Sequence, residues 1–121
     1  MENEKKKQVL RERTKMFARR SICLFTSLDR SREEIRVIAR QMIRSGTSVG
    51  ANYREAGRAR STAEFIAKIE LCAQEADETQ YWLELLQEEC GANTSFIEPL
   101  WKEADELISI FVTMAKNTKN K

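Results

Sequence analysis

Residues 61–91 read STAEFIAKIELCAQEADETQYWLELLQEECG, and their apolar spacing decides the fold. Phe65, Ile69, Cys72, Ala76, Thr79, Leu83, Leu86 and Cys90 follow one another at alternating steps of four and three. That is the period of a helix packed along a seam in a bundle. Ser61 and Glu64 fit a capping box, in which each side chain satisfies an orphan backbone N–H. Gly91 stands where a left-handed residue closes a helix. The spacing predicts a helix over residues 62–90.

Upstream, Ile35, Ile38, Met42, Ser45, Val49, Asn52, Ala56 and Ala59 keep the same alternation through Ser45-Gly46-Thr47-Ser48-Val49-Gly50. Each glycine costs a helix interior about 1 kcal/mol, yet the period survives. One helix is therefore expected over residues 32–58, with Ser31 and Glu34 as its capping box. Gly46 and Gly50, four apart on one side, would let another helix approach closely. A first helix is expected over residues 8–28, with Leu10, Phe17, Ser21, Leu24 and Leu28 on one face, after a Lys-rich start expected to fray. A fourth is expected over residues 95–116. Ser95 and Glu98 open it and Pro99 is tolerated in its first turn. Ile97, Leu100, Ala104, Leu107, Phe111 and Met114 form its seam, and Ile108 and Val112 widen it. The tail from Lys116 reads as disordered. Connections of a few residues make sequential helices antiparallel neighbours. The expected fold is all-α: an antiparallel up-and-down four-helix bundle, one domain over residues 1–121.

Composition agrees. Four glycines and one proline are too few for the turns of a β-sandwich or barrel. With 41% apolar residues the chain can build a core without disulfide or metal staples. Cys23, Cys72 and Cys90 are widely spaced and read as small buried hydrophobes in a reducing compartment. No apolar run approaches a membrane span, and no apolar segment follows the charged start. A cytoplasmic protein is expected.

Catalysis has little material. The sequence has no histidine, the usual base near neutral pH. Phosphate-binding and nucleophile-elbow motifs are missing. Di-iron bundles need Glu-x-x-His. The acidic residues of the third helix mostly avoid its seam and read as a solvated face. No enzyme activity, metal, cofactor or small-molecule substrate is expected.

Charge is more informative. The net charge of +2 divides into +9 over residues 1–60 and −7 over residues 61–121. Arg32, Arg36, Arg40 and Arg44 stand four apart, where like charges repel along a helix. Arg54, Arg58 and Arg60 continue the series, and Arg11, Arg13, Lys15, Arg19 and Arg20 load the first helix. Arginine binds phosphate in a bidentate fork. The counter-anion is the chain's own acidic helix, a neighbouring subunit's acidic half, or a nucleic-acid backbone. Arg19, Arg20, Arg36, Arg40, Arg44, Arg54 and Arg58 are the candidate nucleic-acid contacts. Tyr53, Tyr81 and Trp82 are candidate anchors of a subunit interface, because large rings off the core seam often serve that role.

The run Arg44-Ser45-Gly46-Thr47-Ser48-Val49-Gly50-Ala51-Asn52-Tyr53-Arg54-Glu55-Ala56 resembles the signature of the four-helix bundle family encoded by intervening sequences in 23S rRNA genes. The likeness continues through Ala59, Ser61, Glu64, Phe65, Ile66 and Lys68. It returns at Glu75-Ala76, Glu78-Thr79, Tyr81-Trp82-Leu83, Leu85-Leu86, Glu103-Ala104 and Glu106-Leu107. The resemblance implies an up-and-down bundle that forms a ring-shaped homopentamer. It also implies kinship with the accessory variability protein of diversity-generating retroelements, a basic nucleic-acid-binding pentamer. The modest charge of this chain departs from that branch. Two functions are thus expected to compete: a ring-forming homo-oligomer that binds RNA or DNA, and a protein-interaction scaffold whose arginines pair internally. The surroundings of Arg36, Arg40 and Arg44 discriminate between them.

Overall fold

A computed structural model describes residues 2–121; residue 1 lies outside them. The helices are α1 (Glu2–Ser27), α2 (Glu33–Ala56), α3 (Thr62–Glu88) and α4 (Thr94–Lys119). Each packs on its sequence neighbours, and a thinner seam returns α1 to α4. The fold is an all-α, up-and-down four-helix bundle. Helices of 24 to 27 residues run about 36–40 Å.

The α3 seam turns inward: Ile69, Cys72, Ala76, Thr79, Leu83 and Leu86 are buried. Leu10, Phe17 and Leu24 of α1, Ile35, Met42 and Val49 of α2, and Leu100, Leu107 and Phe111 of α4 meet it. Val112, expected to widen the α4 seam, is exposed.

The glycine-bearing middle of α2 remains helical, and its neighbour is α1. A Cβ at Gly46 would lie 2.8 Å from the Ser21 Cβ and closer still to its Oγ; one at Gly50 would lie 3.3 Å from Thr14 Oγ1. The α1 hydroxyls at this close approach are satisfied within their own helix. Thr14 donates to the Leu10 carbonyl at 2.8 Å and Ser21 to that of Phe17 at 2.9 Å. On the other side of α2, Ser45 Oγ meets Thr79 Oγ1 of α3 at 2.7 Å.

The helix ends depart from expectation for local reasons. Ser31 does not cap α2. Its N–H and hydroxyl both donate to Asp29 Oδ1, because aspartate forms the stronger side-chain turn. Arg32 then takes the N-cap place without a side-chain bond. Ser61 does cap α3, accepting the Glu64 N–H at 3.0 Å, while the Glu64 carboxylate reaches the Arg60 N–H instead of that of Ser61. Asn93 caps α4 by accepting the Ser95 N–H at 2.9 Å, so Pro99 falls in the second turn. Gly91 has φ +71°, and the Ala92 N–H folds back to the Leu86 carbonyl at 2.9 Å.

The segments expected to fray are helical. Lys, Glu and Gln favour helix, and the first turns of α1 carry the pair Glu4–Lys7 and the bond from Gln8 to Glu12. At the other end, Lys119 Nζ reaches Glu70 at 2.7 Å and extends α4 past Lys116.

Cys72 and Cys90 are buried, but Cys23 is exposed. Two residues beyond buried Ser21, Cys23 is turned about 200° round the helix, on its outer side. Burial pushes the Cys72 thiol up to about 12. Among the described residues, no helix is long and apolar enough to cross a membrane, and no group of three or more potential ligands could hold a metal ion.

Candidate nucleic-acid interface

Lys7, Arg11, Lys15 and Arg19 follow one another at i+4 on α1 and so share a side of that helix. Arg36 and Arg40, then Arg54 with Arg58 just past its end, do the same on α2. At one end of the bundle Lys7 and Arg11 face Arg54 and Arg58 across an opening, whereas Arg36 and Arg40 stand about 21–27 Å from Arg54 along α2. Arg13 leaves the row. It forks onto Glu103 of α4 at 2.7 and 3.0 Å and touches Glu106 at 3.3 Å, and this raises its pKa. Arg20, two turns after Arg13, belongs to that same side of α1.

The arginine environment is divided. Arg36 is tied to Glu33 one turn earlier. Arg44 crosses to α3, where it holds Glu75 at 3.2 Å and Glu78 at 3.0 Å. Arg19, Arg20, Arg40, Arg54 and Arg58 are exposed. None of them forms an ion pair among the described residues, although Arg40 helps lower the pKa of Glu33, after the dominant effect of Arg36. Two of the three discriminating arginines thus pair internally, and the third, Arg40, is unpaired among the described residues, as are Arg19, Arg20, Arg54 and Arg58.

Glu75 carries a raised pKa. Burial is the first cause, contact with the Glu78 carboxyl the second, and Ser48 and Arg44 pull the other way. A carboxyl whose pKa is raised by folding binds its proton more tightly in the folded state. Its contribution to stability is full below the ordinary carboxylate range and is lost as pH rises through the raised value. Urea unfolding at pH 5 and pH 7 should therefore show the wild type gaining stability at the lower pH relative to Glu75→Gln. A constant difference between the two proteins would contradict the raised value.

The aromatic candidates do not form one patch. Tyr53 is 8% exposed and packs on Phe111 with ring centroids 5.7 Å apart, so it belongs to the core. This corrects the expectation of an interface anchor there. Tyr81 is 55% exposed and meets the half-buried Trp82 edge-on at 5.0 Å. The Trp82 indole N–H is buried without a hydrogen-bond partner among the described residues. Phe65, which lies at the Tyr53 end of the bundle, is 16 residues from Tyr81 on α3, or about 24 Å. Around Tyr81 stand Asp77, Glu78 and Glu84, the acidic counterpart of the α1–α2 surface.

Fold and surface together define a class: four-helix bundles that carry cations on one helix pair and carboxylates on the other. A profile of the 23S rRNA-intervening sequence protein family matches residues 6–113, and the chain belongs to that family. It is also similar to a crystal structure of a protein of unknown function from the S23 ribosomal protein family of Bacteroides thetaiotaomicron. The two are 35% identical with a TM-score of 0.80, over 88% of this chain and 97% of the other. No curated protein matches.

Proposed function

We propose that this protein is a cytoplasmic, ring-forming homo-oligomer that acts by binding RNA or other nucleic acid and not by catalysis. The observation that carries the reading is the set Arg11, Arg40, Arg54 and Arg58: exposed on α1, α2 and the loop after α2, and without an ion-pair partner among the described residues. Exposed, unneutralised arginines repel one another, and a polyanion relieves that repulsion while releasing its own counterions. The family's association with 23S rRNA genes fits this class of ligand. A sequence without histidine fits a binding role.

Polarisation titrations with a labelled single-stranded RNA test it. Affinity should fall steeply between about 50 and 200 mM salt. Converting Arg11, Arg40, Arg54 and Arg58 together to Gln should weaken binding by at least about tenfold and flatten the salt slope. Arg44→Gln should change binding little, since Arg44 already serves Glu75 and Glu78. An absence of binding at both salts sinks the reading.

Self-association rests on a separate observation, the exposed Tyr81 ring beside Trp82 within an acidic surround. That surface complements the basic face of a second subunit, and head-to-tail contacts of this kind close into rings when the rotation between subunits allows. Five subunits is the number the family resemblance implies. A light-scattering mass equal to one chain would remove this part of the proposal. A scaffold for another protein remains the competing reading. It is favoured by the internal pairing of Arg36 and Arg44.

A further inference from the structure

At the end of the bundle where α1 begins and α2 stops, a cavity of about 500 Å³ opens, within the ~300–1,000 Å³ range of small-ligand sites. Its rim is cationic: Lys6, Lys7 and Arg11 from α1, and Arg54 and Arg58 at the close of α2. Glu4 is the sole carboxylate in the lining among the described residues, and it is engaged by Lys7 at 3.5 Å. The floor is apolar and aromatic, made by Leu10, Tyr53, Phe65 and Met114.

Tyr53 adds an independent observation. The residue is 8% exposed and lines this cavity, and its hydroxyl has no hydrogen-bond partner among the described residues. Its ring is held by Phe111 from beneath. The hydroxyl is not among the buried unpaired polar atoms, so it is open to the cavity, and a ligand that enters here meets a polar group able to donate to it or accept from it.

Cations at the mouth select an anion. An aromatic floor selects a flat body able to stack, and stacking on such rings tolerates any base. A free phenol on that floor selects an edge carrying donors and acceptors. A phosphate alone, or an aliphatic anion, could accept from the phenol but would leave the aromatic floor unused. We infer that this cavity is a nucleotide site, which takes one unstacked base against Phe65 with its edge to the Tyr53 hydroxyl, and its phosphate against Arg11, Arg54 and Arg58. The nucleotide comes either from the end of a nucleic-acid strand or from the free mononucleotide. The strand-end source deepens the proposed nucleic-acid binding and rests on it.

Calorimetric titration of the full chain with adenosine monophosphate, inorganic phosphate, and a short single-stranded RNA with or without a 5′-phosphate tests the site. The monophosphate should bind at least about tenfold more tightly than inorganic phosphate, because only it uses the floor. Arg58→Glu should weaken the monophosphate by about tenfold or more. Tyr53→Phe keeps the ring on Phe111 and removes only the hydroxyl, and should weaken it about three- to tenfold, the worth of one hydrogen bond. Circular dichroism matching the wild type shows that both variants fold. Tighter binding of the phosphorylated strand, lost in the same variants, assigns the strand end. Binding of the monophosphate without the strand supports the site, assigns the free nucleotide, and removes the nucleic-acid reading. Equal binding of monophosphate and inorganic phosphate overturns the site. So does monophosphate binding unchanged by both variants, or no monophosphate binding at all. RNA binding that persists with its salt slope in both variants, without any monophosphate binding, overturns the site and leaves the nucleic-acid reading intact.

Discussion

Gly46→Val is expected to destabilise the bundle by about 3 kcal/mol or more, the upper range of core overpacking. A Cβ at this position would stand 2.8 Å from the Ser21 Cβ. The Ser21 hydroxyl can rotate away, but its Cβ is fixed to the α1 backbone, so the helices must separate. Separation loosens the packing of α1 on α2 along its length, and α1 has only a thin seam with α4 to fall back on. Valine also loses side-chain freedom in a helix. Gly46→Ala is a milder form: it gains about 1 kcal/mol of helix propensity and should still come out less stable. Its penalty should shrink in a Ser21→Gly background, which removes the obstructing atoms; a double-mutant cycle measures this coupling. Gly50→Ala, with its nearest contact at 3.3 Å, should stay within about 0.5 kcal/mol of the wild type, since the propensity gain offsets a small shift of Thr14. Thermal and urea unfolding would check the series. A Gly46→Ala protein as stable as the wild type would mean that α1 and α2 are not in this close register.

Phe111→Ala should cost about 3–5 kcal/mol, the range for removing a buried phenyl ring. Phe111 is fully buried and packs on Tyr53 of α2 at 5.7 Å. The ring thus spans the diagonal of the bundle, between helices that are not neighbours in the packing order. Its loss leaves a cavity between α2 and α4 that the surrounding side chains fill only in part. Against a total stability of about 5–15 kcal/mol for a native domain, such a loss should bring the protein near its unfolding threshold at 37 °C. Phe111→Leu keeps most of the volume and should cost less than about 1.5 kcal/mol. The midpoint of urea unfolding, at unchanged slope, reads both. Nearly equal midpoints for Ala and Leu would show that the site is not packed as described.

The α3 seam was readable because it is local and regular. Phe65 to Cys90 repeat without interruption, and the structure buries most of the series. The α2 stripe was readable in kind but drifted in phase. Its sequence reading passed through Asn52, whereas the structure carries the buried face from Val49 to Tyr53 and Ala56. A straight helix of 3.6 residues per turn slips against a strict seven-residue repeat, and over the length of α2 that slip moves Tyr53 inward. The same slip explains the misassigned interface role. A signal was present: Tyr53 lies four residues after Val49, on the face that Gly46 and Val49 already marked. Ser31 looked like a cap because it has a Glu three residues on, yet Asp29 was the nearer and stronger competitor.

The site was legible only as a surplus of charge. Spacing placed arginines in rows on α1 and α2, and nothing in the spacing told Arg40 from Arg44. Arg44 meets Glu75 and Glu78 because the register of α2 against α3 brings them opposite, 31 and 34 residues along the chain. Arg13 met Glu103 across 90 residues for the same kind of reason. The cavity at the bundle end was invisible for that reason too, since its rim and floor come from all four helices.

By itself, then, the sequence determined the number of helices, their inward faces, and the demand for a small-residue contact at Gly46 and Gly50. These follow from interactions within a turn or two of chain. Only the tertiary structure decided that α1 fills that contact, which arginines keep their charge open to solvent, and that Tyr53 faces a cationic cavity. Those outcomes depend on how far one helix slides along another, and that displacement is set by the packing of the whole core at once.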